Sequence, residues 1–504
     1  MRAPGRCAAA LHSRVVVTHT RFGMSAPSKW TLRRALRWLG IGLFVLLVVV
    51  PAVFAAAFLG IQNATERQWL GKAPQHAAID VRLHQPHAVV LLDVGFDSLA
   101  TRLKLIDEAK ESIELEFFIY ELDEASRLIS QALARKAAQG VKVRILVDFA
   151  KPVFKLAPQV ARSLEAAGVQ VRYYNTSGLV RFFAMQHRTH RKLLVVDRAQ
   201  AIVGGRNIGN DYFDLSPHYN FLDSDLLIRG PIATAIADSF ELYWASDWVT
   251  KPEAVSAHAE PGLDLLSQPT ANEAALLAEL QRRPPVAPAG TCGDMQFVTD
   301  YPGSGVERRK VYSAIAALVQ EARQRVVVES PYLVLRGDGL ALMSSVLQRG
   351  VKVQFLTNTL YSTDAFYAVG TLAGALDELQ LANLQVWGYD GRPLPQDPRP
   401  PASARWGVHA KRALFDDRTV VIGTYNIDPR SANLNSELIV ICRDNPALAQ
   451  AVSTSQQARL AQSRAITGTP NAGGYAALVQ GADEGSIWQM RLTQPFASWL
   501  DFLL

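Results

Sequence analysis

The sequence predicts an α/β fold made of two similar sandwich halves, preceded by one transmembrane helix. Two observations predict the duplication and a third predicts the helix. The stretch "HRKLLVVD" at 190–197 returns as "HAKRALFD" at 409–416, with His, Lys and Asp at the same spacing. Each copy keeps the same companions: a Gly seven residues after the Asp (Gly204, Gly423), an Asn ten after it (Asn207, Asn426), and upstream the pair "GVKVRILVD" (140–148) and "GVKVQFLTN" (350–358). Three fixed residues alone are a weak signal. A match that also spans strands and turns marks a whole folding unit in two copies. The third observation is "WLGIGLFVLLVVVPAVFAAAFLG", 23 residues without a charge from Trp38 to Gly60.

From the N-terminus, residues 1–37 are a basic segment with eight Lys or Arg and no acid. The run at 38–60 is long enough, at ~1.5 Å per residue, to cross a hydrocarbon core of ~30 Å. Pro51 is tolerated in a membrane helix at the cost of a kink. A cleaved signal peptide is the competing reading, because "AAAF" offers small residues for cutting, but the apolar run is long for one. The nearby positive charge precedes the helix, and the first basic residue after it is Arg67. The positive-inside rule then puts the N-terminus in the cytoplasm and the body outside. Met24 is an alternative start, since "MSAPSKWTLRRALRW" is already a sufficient cytoplasmic lead.

At 504 residues and 49% hydrophobic composition, the chain can bury one large core or two smaller ones. The formal charge is +6, but removing the eight N-terminal cations leaves 44 basic against 46 acidic residues. Nucleic-acid binders concentrate positive charge on the binding domain, so no nucleic-acid partner is expected.

The first half spans 75–250, with a strand in "SIELEFFIY" (112–120), a helical pattern near 123–139 and a strand in "VKVRILVD". Residues 251–290 mix Pro, Gly and Ala with one short helical pattern and read as a connector. The second half, 291–504, repeats the order with "RVVVESPYLV", a helix near 338–349 and "VKVQFLTN". Apolar strands separated by helices argue for a largely parallel sheet covered on both faces. Cys7 falls on the cytoplasmic side, whereas Cys292 and Cys442 fall outside, where a disulfide is permitted. Sequence fixes neither their distance nor their redox state.

"HRKLLVVD" opens polar and turns apolar, so it should be a buried strand with His190 and Lys192 near its start, on one face. Asp197, at the following turn, reads as structural rather than catalytic. If the halves pack about an approximate two-fold axis, two His-Lys couples and two Asn meet in one cleft. Ammonium groups repel a metal, and carboxylate ligands are sparse there. The set suits a phosphodiester: Lys and Asn hold the non-bridging oxygens, one imidazole attacks phosphorus and the other protonates the leaving alcohol.

The paired His-x-Lys-x4-Asp motifs, with their Gly and Asn followers, resemble the phospholipase D superfamily over nearly all of residues 75–465. The strings "HRTHRKLLVVDRAQAIVGGRNIGNDYF" and "HAKRALFDDRTVVIGTYNIDPRSANLNSE" are most similar to bacterial cardiolipin synthases. The resemblance implies reaction through a phosphohistidine, without metal or other cofactor. Both motifs enter the candidate catalytic set whole: His190, Lys192 and Asp197 with His409, Lys411 and Asp416. In the commoner family assignment the first His is the nucleophile and the second the general acid/base. Asn207 and Asn426 would help grip the phosphate, and a downstream acid would orient the opposite imidazole. Glu437 in "NSE" fits that place in the second half. In the first, "DSD" offers Asp223 or Asp225, and alignment of the following "LLI" with "LIV" favours Asp225.

The chain also departs from the family pattern. After "TNTLYSTD" a His would be expected in the next helix, and this chain reads "AFYAVGTLAGAL", which leaves headgroup choice open. His187 and Arg188 are read either as a second phosphate site or as a solvated loop. For lipid access, "LVRFFAM" (179–185) and the Pro-rich stretch around Trp387, Tyr389 and Trp406 offer interfacial aromatics, the latter as an exposed flap.

The leading expectation is an anchored phosphatidyltransferase of the bacterial inner membrane, single-pass, with its body on the periplasmic side. It would make cardiolipin from phosphatidylglycerol and a second phospholipid such as phosphatidylethanolamine. A phospholipase D using water, a nuclease of the same chemistry and a non-catalytic binding module are the competitors. The intact motifs weigh against the last of these, and the near-neutral body and the anchor against a nuclease.

Overall fold

The computed structural model describes residues 29–54, 57, 79–150, 155–177, 184–255, 264–303, 309–394, 401, 403–467 and 471–500. The chain divides into two compact units, Met1–Asn63 and Ala64–Leu504. In the first, the helix Lys29–Phe44 runs through a π turn, Val45–Val49, and on to Phe54. The wide turn sits one residue before Pro51, whose ring cannot donate to the preceding turn and crowds its carbonyl. Leu36–Phe54 is a candidate membrane span by length and composition, with mean hydropathy 2.3. Residues 55–56 and 58–60 of the expected span lie outside the described residues.

The second unit holds two nine-stranded sheets of matching topology. In the first sheet the central strands are Gln170–Tyr174, Lys142–Asp148, Ser112–Phe117, Leu193–Val196, Gln200–Gly204, Asp225–Arg229 and His87–Leu92, in that spatial order. In the second they are Leu384–Tyr389, Lys352–Asn358, Arg325–Glu329, Arg412–Phe415, Thr419–Gly423, Leu438–Arg443 and Asp294–Thr299. The orders correspond strand for strand, as a duplicated unit requires.

The largely parallel sheet expected from the alternation of strands and helices is not found. Only the first three strands of each list run parallel; the rest pair antiparallel. The motif strands and their followers are linked by tight turns, which join antiparallel neighbours and need no crossover helix. The edges are exchanged between halves. Asp80–Leu83, at the start of the first half, closes the second sheet on Asp294–Thr299, while Thr291–Cys292, at the start of the second, closes the first sheet on His87–Leu92. The boundaries at 75 and 291 are therefore not sheet boundaries.

Three apolar layers hold the body. The central one joins Val195, Val203, Leu226 and Ile228 of the first sheet to Leu414, Ile422 and Val440 of the second, flanked by the helices Ile232–Trp244 and Pro446–Leu460. Each sheet's outer face carries its own helices over a separate core. Cys292 and Cys442 form a disulfide, with Cα atoms 5.9 Å apart, that ties the edge of the first sheet to a central strand of the second. In the connector the α-helix Ala271–Arg282 is started by a reciprocal cap between Thr270 and Glu273.

Candidate active site

The central layer brings the two motifs together. Each motif His lies just before its strand, and its backbone is fixed by the opposite half. The N–H of His190 donates to the carbonyl of Ser436 at 2.9 Å, and that of His409 to Leu222 at 2.8 Å. A short parallel ladder, Arg405–Val408 on Tyr219–Leu222, reinforces the second crossing, and a bridge from Thr189 to Ser436 the first. The upstream echo has a positional role here. Asp148, ending its strand, accepts the N–H of Thr189 at 2.8 Å, and Asn358, at the matching place, accepts that of Val408 at 2.8 Å.

The residue after each accepting carbonyl is an acid aimed at the imidazole. Glu437 reaches His190 Nδ1 at 3.0 Å, and Asp223 reaches His409 Nδ1 at 2.5 Å. An Nδ1–H donated to a carboxylate leaves Nε2 with the free lone pair. His190 and His409 line one cavity of about 970 Å³, together with Asn207, Asn426, Tyr212, Tyr332, Arg188 and Arg430. Asn207 is oriented by the N–H of Ile119, which its Oδ1 accepts at 3.1 Å.

The acid opposite His409 is Asp223, which corrects the expectation of Asp225. Strand register shows why. Gly204 pairs with Asp225 and its counterpart Gly423 pairs with Ile439, so Glu437, two residues earlier, matches Asp223. Asp225 occupies a core position filled by Ile in the other half, and it is neutralised there by Arg102 at 3.0 Å and Arg206 at 3.1 Å. Aligning apolar runs failed because this strand begins its buried face with a paired charge.

Asp197 and Asp416 stand away from the cavity, which corrects their place in the catalytic set. Both take a left-handed backbone, φ 51° and 50°. Asp197 accepts the N–H groups of Lys110, Glu111 and Ser112, and Asp416 those of Arg323, Gln324 and Arg325. Each pins the start of the neighbouring strand, a turn role of the kind the sequence alone suggested.

Lys192 and Lys411 are buried beneath their histidines, each donating from Nζ to the carbonyl of its own motif His. Burial, then the neighbouring lysine, holds Lys192 well below the usual lysine range, and burial brings Lys411 down to about 8. Burial and the two ammonium groups also push both imidazoles well below their ordinary value, so both are neutral near pH 7. Burial raises Glu437 to about 7 against the pull of Lys192, and Thr424, Ser431 and Asn435 all hydrogen-bond it.

Sequence reasoning did not single out Tyr332, Asp364, Asp428 or Arg430. Tyr332 donates to Asp364 at 3.1 Å, and both line the cavity. Asp428 follows Asn426 by two residues, and burial raises it to about 6. His187 and Arg188 are buried, not a solvated loop. Arg188 pairs with Asp148 at 3.0 Å and lines the cavity, while burial lowers His187 to about 3. The helix Phe366–Gly374 offers Tyr367 and Ala368 to the cavity where an imidazole was expected.

Of the apolar route, residues 178–183, with Phe182 and Phe183, lie outside the described residues, as do 395–400 and 402 of the Pro-rich segment. Tyr389 and Trp406 are buried in a core cluster with Leu222, Leu356 and Val408, so they are not on an exposed flap. Trp406 is drawn in by strand pairing between the halves, and Tyr389 by pairing within its own sheet.

Comparison with known proteins agrees with the duplication. The family model described as "Cardiolipin synthase, PLD-like domain" matches residues 103–244 and 315–458, one match per half. The chain belongs to that family. Cardiolipin synthase C of Escherichia coli is 27% identical over 379 residues, covering 69% of this chain and 79% of the relative. The major cardiolipin synthase of Bacillus subtilis is 26% identical over 375 residues, covering 74% and 69%. The crystal structure of a phosphatidylserine synthase from Haemophilus influenzae superposes with a TM-score of 0.61 at 14% identity, covering 84% of this chain and 98% of that one. By family the chain is a phospholipase D-type phosphatidyltransferase.

Proposed function

We propose that the protein is a membrane-anchored cardiolipin synthase acting through a phosphohistidine on His190. The observation that supports it most is the pair of imidazoles on one cavity, each with Nδ1 turned to a carboxylate of the other half. In the first step Nε2 of His190 bonds to the phosphorus of a phospholipid. The bond from phosphorus to the headgroup oxygen breaks, and a protonated His409 gives that oxygen its proton. Binding of the phosphate anion raises the proton affinity of His409, which two lysines depress in the free enzyme. In the second step a glycerol hydroxyl of phosphatidylglycerol attacks phosphorus, its proton passes to His409 and the bond to His190 breaks. Lys192, Lys411, Asn207 and Asn426 stabilise the charge that gathers on the phosphoryl oxygens.

In this reading the basic segment stays in the cytoplasm, the span at 38–60 anchors the chain in a bacterial inner membrane and the body works on the periplasmic side. The deciding assay uses purified protein in detergent with labelled phosphatidylglycerol, with and without phosphatidylethanolamine. Labelled cardiolipin is expected. Phosphatidic acid would mean that water is the acceptor, and no lipid product would remove the reading.

A further inference from the structure

The second half contains an apolar cavity of about 570 Å³ between its sheet and the helices Lys310–Glu321 and Gly337–Gln348. Its size is that of a ligand pocket. Val334 and Asp428 line both this cavity and the reaction cavity, and Lys411 stands in its wall, so the two are neighbours across a shared partition.

The first half's own cavity, about 640 Å³, lies elsewhere, against the connector residues Leu280, Arg283 and Val286. At the core positions that match the second half's cavity, larger side chains are buried, and paired positions show this. The 219-residue offset that carries His190 to His409 also carries Leu194 to Ala413 and Phe213 to Ala432. Leu194 and Phe213 are fully buried in the first half's outer core. Ala413 and Ala432 are half-buried and line the cavity. Strand register places Leu115 opposite Leu194 and Val328 opposite Ala413, so a further Leu has become Val. Ile113 and Ile202 likewise become Val326 and Val421, while Val196 and Ile145 become Phe415 and Phe355. The enlarged rings do not refill the volume that two alanines vacate. Close-packed cores avoid voids of this size because each costs stability.

We propose that this cavity receives one acyl chain of the phospholipid whose phosphate lies between His190 and His409. The inference rests on the phosphatidyl-transfer reading above. It commits the substrate to an extended orientation: phosphate in the shared cleft, glycerol at the Val334–Asp428 partition, chain between sheet and helices. Each methylene taken out of water is worth about fourfold in binding, so this cavity sets chain-length preference.

Two measurements test it. The first compares dioleoyl with dihexanoyl phosphatidylglycerol in mixed micelles for the wild type and for Ala413→Leu with Ala432→Phe, which restores the first half's side chains. The ratio of kcat/KM for long over short chains should fall at least tenfold; a wild-type ratio in the filled variant would overturn the proposal. The second uses His190→Ala, which turns nothing over, with phosphatidylglycerol carrying a diazirine at its acyl end. Irradiation should label peptides within 310–347 or 413–432, and label confined to other peptides would overturn the proposal. This readout stands if the filled variant fails to fold. If the wild type transfers no lipid, the functional reading fails while the labelling still reports on the cavity.

Discussion

The two halves share strand order, motif geometry and reciprocal backbone bonds, yet differ in how each holds its acid and fills its core. In the first half a short acid, Asp223, lies against bare Gly205, where a Cβ would stand 2.2 Å from its Oδ1. In the second, the longer Glu437 faces Thr424, at the place matching Gly205, and takes a hydrogen bond from its hydroxyl. Side-chain length and the space opposite have changed together, so each carboxylate still meets its imidazole. The cores show the opposite behaviour: Leu194 and Phe213 fill one, Ala413 and Ala432 open the other. Duplication thus preserved what the shared centre needs from both sides, and left free what each half faces alone.

The strongest way to break the symmetry is at the histidines. His190→Ala and His409→Ala should each lower transfer by about a thousandfold or more. They should differ in covalent labelling. With an activated leaving group, His409→Ala should accumulate a phosphatidyl-enzyme and His190→Ala should not. The reverse pattern would move the nucleophile to the second half.

The acids come next. Asp223→Asn and Glu437→Gln should each lower kcat about a hundredfold, through lost imidazole orientation. Asp225→Asn should instead destabilise the fold by about 3 kcal/mol, because it leaves Arg102 and Arg206 short of a counter-charge. Thermal melts beside rates separate the two, and a kinetic loss without a stability loss at Asp225 would reinstate the sequence alignment.

A smaller effect probes the acid pockets. Gly205→Ala pushes directly on Asp223, so transfer should fall about tenfold, whereas Thr424→Gly removes one of several donors to Glu437 and should cost only a few-fold. Equal losses would deny the compensation described above.

The gentlest test is pH. Lys411 loses its cation as pH rises through about 8, so kcat/KM should decline on that alkaline side. Lys411→Arg, whatever its maximal rate, should weaken or displace that limb, because a guanidinium stays charged and leaves Lys192 as the buried amine that still titrates.

Much of the site was legible because its chemistry repeats. His, Lys and Asn recur at fixed spacing, and spacing survives in a linear chain. Glu437 was reached through the family resemblance, which implies a downstream acid for the opposite imidazole. Asp223 was not, because the choice between two acids two residues apart is made by strand register, and the deciding partners, Gly204 and Gly423, lie in neighbouring strands. The burial of Tyr389 and Trp406 escaped notice because the Pro-rich composition around them suggested a loop. Strand pairing overrode it, with the other half at Trp406 and within the same sheet at Tyr389. The disulfide was permitted by compartment, but it depended on an edge strand crossing to the other sheet's neighbourhood.

By itself the sequence determined that two like units exist, that each supplies an imidazole and an ammonium group, and that an apolar helix precedes them. These follow from periodicity, composition and spacing, which are local. Tertiary structure decided which carboxylate serves which imidazole, which motif residues merely hold a turn, and where the second half's core opens. Those outcomes depend on which side chains meet across strands far apart in the chain, and on the volume left between them.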